Sequence, residues 1–258
     1  MKNIVIAGGS SGIGLALVQN LLSTCNSITN ISRSPCAVAG VKNIRADVTD
    51  PTALKKAFDT IERIDAVIYC AGFSLAAPIE CVKRKDYEYL FDVNILGAIE
   101  CTKLAIPKLQ KSEDPRLIYL SSSGGAAPIP YDGFYSAAKA GLVPLAYTVR
   151  MENPKIKSTA VIIGGTQTRF SFARTVYDDC ETHNARLKRA ADSLIKIEQT
   201  GYSADFVAKR IARIISDSTP PPKVTIGTKN KLELFAYNLL PWRIKLYALC
   251  KKFGIGND

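Results

Sequence analysis

The sequence predicts an α/β protein, a doubly wound and mostly parallel sheet with helices on both faces, folded as a single domain. Three observations predict it. Short apolar runs alternate with amphipathic stretches through most of the 258 residues. The runs are nearly continuous in apolar residues, as befits strands covered on both faces. A glycine-rich turn, Ala7-Gly8-Gly9-Ser10-Ser11-Gly12-Ile13-Gly14, follows the first run and opens the first helical pattern.

Each element follows from its own residues. Ile4 to Ala7 is the first strand and Leu15 to Leu22 the helix after the turn. Ile28 to Ser32 is the second strand, followed by the turn Arg33-Ser34-Pro35, and Val41 to Ala46 is the third, ending at Asp47. Asp50 caps a helix whose first position is Pro51 and which runs to about Arg63. Asp65 to Cys70 is the fourth strand, closed by Ala71-Gly72; a long helical region spans Lys85 to Lys111. Arg116 to Leu120 and Ser158 to Ile163 are strands five and six. The helix between them, Gly133 to Glu152, should kink at Pro144. Val224 to Ile226 is a seventh strand. Thr219-Pro220-Pro221-Pro222 reads as a hinge, but the stretch beyond it is too short for another domain. The expected division is therefore 1–220 as the binding and catalytic unit and 221–258 as the last strand with a basic amphipathic extension.

Composition narrows the function. Hydrophobic and charged contents of 47% and 22% are those of an ordinary soluble globular protein. Seven cysteines, odd in number and without a CxxC pair, suggest a reducing, cytoplasmic setting rather than a disulfide framework. No leader is expected before the first strand, and no run is long enough to span a membrane. His183 is the single histidine, which leaves no basis for a histidine metal site or a Ser-His-Asp centre. The net charge of +11 admits nucleic acid, an anionic membrane or an anionic cofactor. With no zinc-finger spacing and no aromatic RNA-binding signature, nucleic acid is set aside.

In doubly wound sheets ligands lie beyond the carboxyl ends of the strands. There the glycine turn offers close backbone approach and a helix N-terminus, both suited to a diphosphate. After the fifth strand comes Ser121-Ser122-Ser123-Gly124-Gly125, then Tyr135 with Lys139 one helical turn later. An ammonium beside a phenol favours the phenolate and draws its pKa toward neutrality, so Tyr-x-x-x-Lys can form a general acid/base. The spacing alone is common: Tyr247 and Lys251 repeat it in a basic stretch with no serine-bearing strand upstream, and are read as accidental.

Gly8-x3-Gly12-x-Gly14, Asp47, Ala71-Gly72, Asn94, Ser122, Tyr135-x3-Lys139 and Gly164…Thr168 occur in the order of the short-chain dehydrogenase/reductase family. Over residues 1 to 215 the chain resembles the compact form of that family, a Rossmann-type fold. The resemblance implies nicotinamide-dependent hydride transfer between a carbonyl and an alcohol. It assigns Tyr135 as proton donor, Lys139 to lower its pKa and hold the ribose, Ser122 to bond the substrate oxygen, and Asn94 to hold a water linking Lys139 to solvent. It further implies cofactor contacts at Gly8, Ser10, Ser11, Gly12, Ile13, Gly14, Ser32, Arg33, Asp47, Val48, Ala71, Gly72, Gly165, Thr166 and Thr168. The second strand ends in Ser32-Arg33 without an acid, which favours NADP over NAD because arginine suits a 2′-phosphate. Four departures stand out: Ala7 where a Thr is usual, Tyr69-Cys70 where two Asn are usual, no Pro after the sixth strand, and Pro144. The altered fourth strand keeps a second reading open, a non-catalytic NADP-binding regulator or scaffold.

The segment 168–201 is expected to be a polar, helical substrate lid, with Phe170, Phe172 and Tyr177 available to line a pocket. Beyond Pro222, Trp242, Leu246, Leu249, Cys250 and Phe253 share a helical arc, with Arg243, Lys245, Lys251 and Lys252 largely opposite. The preferred reading is a helix packed over the protein's own pocket or a partner subunit; the alternative is peripheral contact with an anionic membrane. Homo-oligomerisation through the long helices is implied by resemblance alone. A small-molecule carbonyl or alcohol is the expected substrate, in the reductase direction.

Overall fold

The computed structural model describes residues 1–24, 26–170, 174–177 and 184–256. Its centre is a seven-stranded, wholly parallel sheet. The early elements are β1 (Asn3–Ala7), α1 (Gly12–Leu22), β2 (Ser27–Ser32), β3 (Lys42–Arg45), α2 (Pro51–Asp59), β4 (Ala66–Tyr69) and the two-residue β5 (Leu75–Ala76). The middle comprises α3 (Arg84–Phe91), a π turn (Asp92–Leu96), α4 (Gly97–Leu109), β6 (Arg116–Ser122), α5 (Ser123–Ala126), α6 (Gly133–Glu152) and β7 (Lys157–Ile163). After these come β8 (Thr166–Gln167), β9 (Thr175–Val176), α7 (Asn184–Gln199), β10 (Tyr202–Ser203), α8 (Ala204–Ser216), β11 (Lys223–Thr225), α9 (Thr228–Leu239) and α10 (Trp242–Lys252).

Strand order is β3-β2-β1-β4-β6-β7-β11, so the winding reverses between β1 and β4. The crevice at that reversal is where such sheets bind ligands. Successive residues of each strand serve opposite cores. Val5, Val67, Leu117 and Tyr119 pack with Leu54, Phe58, Leu109 and Leu142 on the face carrying α2, α4 and α6. Ile4, Ile6, Ile68 and Ile118 pack with Leu17, Leu21, Val207 and Ile211 on the face carrying α1 and α8. This two-sided burial explains the unbroken apolar runs in the sequence.

Asp50 caps α2 as expected, accepting from the amides of Thr52 and Ala53 at 2.9 and 3.0 Å. α6 runs as one helix from Gly133 to Glu152 with Pro144 inside it. Three details differ from the sequence reading. The helical region 85–111 is two α-helices joined by the π turn. Among the described residues of 168–201 the helix is Asn184–Gln199, and β9 pairs with β5 ahead of it. A second C-terminal helix, α9, follows β11. Phe172 and His183 lie outside the described residues. Cys36, Cys70, Cys101 and Cys250 are free thiols, whereas Cys81 is disulfide-bonded, contrary to the expectation of reduced cysteines throughout. No described helix is long and apolar enough to cross a membrane.

Candidate active site

The glycine turn is built by close approach. Gly8 has φ of +90°, and a Cβ there would stand 2.8 Å from the amide nitrogen of Ala71, at the exit of β4. A Cβ on Gly14 would strike the carbonyl oxygen of Gly8. Only glycine lets the two strand exits and the start of α1 meet this tightly. Ser11, at the N-cap, makes no side-chain cap bond, so the first amides of α1 are left to a ligand. The uncapped amides and the cradle that a side chain would fill suit a cofactor diphosphate.

A residue that sequence reasoning missed holds this turn. Asn30, in the middle of β2, accepts from the Gly9 amide at 2.9 Å and donates to Ser32 Oγ and Asn43 Oδ1, each at 2.9 Å. Asn43 in turn bonds both backbone groups of Cys36. The glycine turn and the Arg33 turn are thereby tied to one buried amide. Ser32 Oγ is itself committed, donating to the Ser34 carbonyl at 2.5 Å. Arg33 is exposed on the cavity rim, where Nη1 donates to the Tyr89 hydroxyl at 3.0 Å.

Beyond β6 the hydroxyls and α6 are locked together. Ser121 Oγ donates to the Lys139 carbonyl at 2.7 Å, holding α6 against the strand end. Ser122 Oγ accepts from the Gly124 amide at 3.0 Å and hydrogen-bonds the Tyr135 hydroxyl. Lys139 is buried; its Nζ donates to the Leu120 carbonyl at 3.1 Å and lies 5.7 Å from the centre of the Tyr135 ring. Burial lowers the Lys139 pKa to about 8. It also pushes the Tyr135 hydroxyl upward, opposed by the Ser122 hydrogen bond. The net direction for the Tyr135 hydroxyl is therefore upward, where a lowering beside Lys139 was expected. Desolvation is the largest influence on it.

Asn94 lies in the π turn and is wholly buried. Its Nδ2 donates to the carbonyls of Phe73 at 2.9 Å and Leu90 at 3.0 Å, while Oδ1 has no partner. A Cβ on Gly72 would meet Asn94 Oδ1 at 2.7 Å and Lys139 Nζ at 2.9 Å, so both groups border the same small space. A buried acceptor left open beside an ammonium is suited to one bridging water. The departure at β4 supports this arrangement: the buried Tyr69 hydroxyl donates to the Val93 carbonyl at 2.5 Å, inside the π turn. A strand-to-helix bond from a residue that replaces an amide could not be read from spacing. Cys70 lines the cavity as a neutral thiol, its pKa raised to about 12 by burial.

One cavity of about 1290 Å³ is bordered by every residue expected to bind cofactor or substrate except Asn94, which stands behind Gly72. It extends past Phe170, whose ring centre is 5.8 Å from that of Tyr135, and past Tyr177, which bonds Asp86. A buried polar quartet, unanticipated in sequence, borders it through Asp132, Arg174 and Glu198. Arg174 donates to Ser74 Oγ at 2.9 Å and to Glu198 at 2.7 Å, and Ser74 donates to Asp132 at 2.6 Å. Burial raises Asp132 to about 7. Among the described residues no cluster of ligating side chains could hold a metal.

Known proteins are similar throughout the chain. It is 28% identical over 258 residues to a 3-ketodihydrosphingosine reductase of Bacteroides thetaiotaomicron, covering 95% of this chain and 96% of that protein. It is 26% identical over 230 residues to a 3-oxoacyl-[acyl-carrier-protein] reductase MabA of Mycobacterium avium, covering 85% and 88%. A crystal structure of a short-chain dehydrogenase from Streptomyces avermitilis superposes with a TM-score of 0.84 at 20% identity, covering both chains fully. The short chain dehydrogenase family model matches residues 2–176, and the chain is a member of that family of oxidoreductases.

Proposed function

We propose that this protein is an NADP(H)-dependent oxidoreductase that reduces a carbonyl to an alcohol, with Tyr135 as proton donor. The observation that carries the reading is the convergence of Ser122, Tyr135 and Lys139 on one cavity that also holds the glycine turn. When bound, the nicotinamide supplies the hydride. The chain supplies the rest: Ser122 and Tyr135 hydrogen-bond the substrate oxygen, and the Tyr135 hydroxyl gives it a proton as negative charge develops there. Burial keeps the Tyr135 hydroxyl protonated, the form a donor needs. Lys139 orients the cofactor ribose and, through a water at Asn94 Oδ1, returns a proton to the site.

Arg33 supports NADP, since a guanidinium at the end of β2 can pair with a 2′-phosphate where a carboxylate would repel it. Segment 168–201 is assigned as the lid, bordering the cavity through Phe170, Arg174, Leu194 and Glu198. The cavity wall of Leu194, Ile197, Leu234, Leu240, Leu249 and Phe253 favours a substrate with an apolar chain. Both relatives above are named for 3-oxo or 3-keto compounds, which points to the same class. Exposed Leu96, at the end of the π turn, and Tyr147 and Met151 of α6 favour self-association along this side; the four free thiols favour the cytoplasm, and the disulfide at Cys81 weighs against it.

A screen of apolar-chain ketones for NADPH oxidation, with wild type and Tyr135→Phe side by side, tests the proposal. Wild type should turn over at least one 3-oxo compound, and the variant should lose roughly 10²- to 10⁴-fold in kcat while still binding NADPH. Undiminished turnover in the variant would refute the proton-donor role. Cofactor binding by wild type without turnover of any carbonyl would favour the second reading, a dinucleotide-binding regulator.

A further inference from the structure

We infer that the outer face of the α9–α10 pair is a docking surface for an anionic lipid bilayer. The inner face of this pair is already occupied. Leu249 and Phe253 are buried with Ala190 and Leu194 of α7, and Leu234, Tyr237 and Leu240 line the cavity. Lys252 pairs with Glu233 at 2.9 Å, and the Lys245 ammonium lies 5.0 Å from the centre of the Tyr237 ring, so the two helices are fixed to one another. The expected arc on α10 is therefore split, its C-terminal half packed inward and its N-terminal half left outside.

The outer residues are unusually apolar. Leu232, Phe235 and Leu239 follow one stripe of α9 and are 67%, 64% and 70% exposed; Trp242, at the start of α10, is 66% exposed. Ile244, Leu246 and Tyr247 extend the patch. Single exposed apolar residues are common on any surface, but a run of large ones on adjoining helices marks an interaction site.

Charge selects the occupant. Residues 228–252 carry six Lys and Arg against the single acid Glu233, in a chain of net charge +11. A second copy docked here about a two-fold axis would set like-signed faces together. An anionic bilayer offers opposite charge at the headgroups and apolar depth beneath them. Lys229, Lys231, Arg243 and Lys251 flank the apolar residues and are exposed. Trp242, with the Arg243 guanidinium 5.4 Å from its ring centre, combines an aromatic plate with a cation, a pairing suited to the headgroup level. Only one layer of helix would then separate the lipid from the apolar wall of the cavity.

Trp242 is the sole tryptophan, so its emission reports directly on docking. The full chain is mixed with phosphatidylglycerol-rich vesicles or pure phosphatidylcholine vesicles, and both sedimentation and Trp242 emission are followed. Wild type should co-sediment with the anionic vesicles with a blue-shifted emission, and bind phosphatidylcholine at least about tenfold more weakly. Leu232→Ser with Phe235→Ser and Leu239→Ser should lower the partition coefficient at least about tenfold. Charge reversal by Lys229→Glu with Lys231→Glu and Arg243→Glu should do the same, and both sets should keep the wild-type melting temperature because the side chains lie outside. No co-sedimentation of wild type with anionic vesicles would overturn the inference, as would binding that survives both sets. A wild-type dimer that the serine set converts to monomer, without vesicle binding, would assign the face to self-association instead.

Discussion

The two ends of the central sheet treat charge in opposite ways. At the amino end, Asp114 takes Lys2 and Lys157, each at 2.8 Å, together with the fully buried Arg116. Beside it Asp65 accepts from the Asn3 amide, the Ser112 hydroxyl and Arg63. Hydrogen bonds and cations pull both carboxyls below the usual Asp range although burial opposes them. At the carboxyl end the balance is reversed. Lys139 is buried and lowered to about 8, Asn94 Oδ1 has no partner, and Tyr135 is pushed upward by burial. Ionised carboxylates matched by donors fix strand ends in place; polar groups held short of partners are poised for a ligand or a proton. The contrast teaches where substitutions should alter stability and where they should alter turnover.

The largest effect is expected at Lys139. On the proposed reading, Lys139→Met should reduce kcat/KM by roughly 10²- to 10³-fold. Wild-type activity should fall on the alkaline side with an apparent pKa near 8 as the ammonium loses its proton, and the variant should lack that limb. Asp132, pushed up to about 7, lies in the same wall, so the limb should persist in Asp132→Asn. A limb that moves with Asp132 would reassign the titration.

Asn94→Ala comes next. Losing the open acceptor and two donors inside the π turn should cost roughly tenfold in kcat, with a small change in KM. Steady-state rates with and without solvent deuterium would locate the loss in proton delivery. An Asn94→Ala enzyme with full activity would mean that the π turn serves packing alone.

The smallest effect is expected at the other end. Asp114→Asn should leave turnover unchanged and lower stability by about 1–2 kcal/mol in denaturant melts, because the carboxylate is 44% exposed and water screens its pairs. Its folded pKa lies below the unfolded one, so the stabilisation is complete above the unfolded value near pH 4. It fades as pH falls through the folded value. The Asn variant should lose part of this acid dependence, and a change in KM instead would blur the distinction between the two ends.

Features that are local along the chain are legible in the sequence. Unbroken apolar runs mark the strands, one stretch of eight residues marks the glycine turn, and a single helical turn joins Tyr135 to Lys139. The features that escape a reading of the sequence depend on tertiary partners. Asn30 resembles an ordinary strand residue until the Gly9 amide is seen against it. The π turn depends on Tyr69, which lies on another strand, bonding the Val93 carbonyl. Ser74, Asp132, Arg174 and Glu198 come from four separate segments and form a group only in the fold. The C-terminal arc has the right periodicity, but periodicity cannot say that its C-terminal half packs on α7 while its N-terminal half stays exposed.

The proposed binding of NADP(H) at the carboxyl end of the sheet can be measured by cofactor titration. NADPH and NADH fluorescence would be followed against wild type, Arg33→Ala and Asp114→Asn. Wild type should prefer NADPH and Arg33→Ala should lose most of that preference, about tenfold or more, with a charge-assisted contact of roughly 1.5–3 kcal/mol at stake. Asp114→Asn should behave as wild type. Failure of wild type to bind either cofactor, or an NADPH preference untouched by Arg33→Ala, would contradict it.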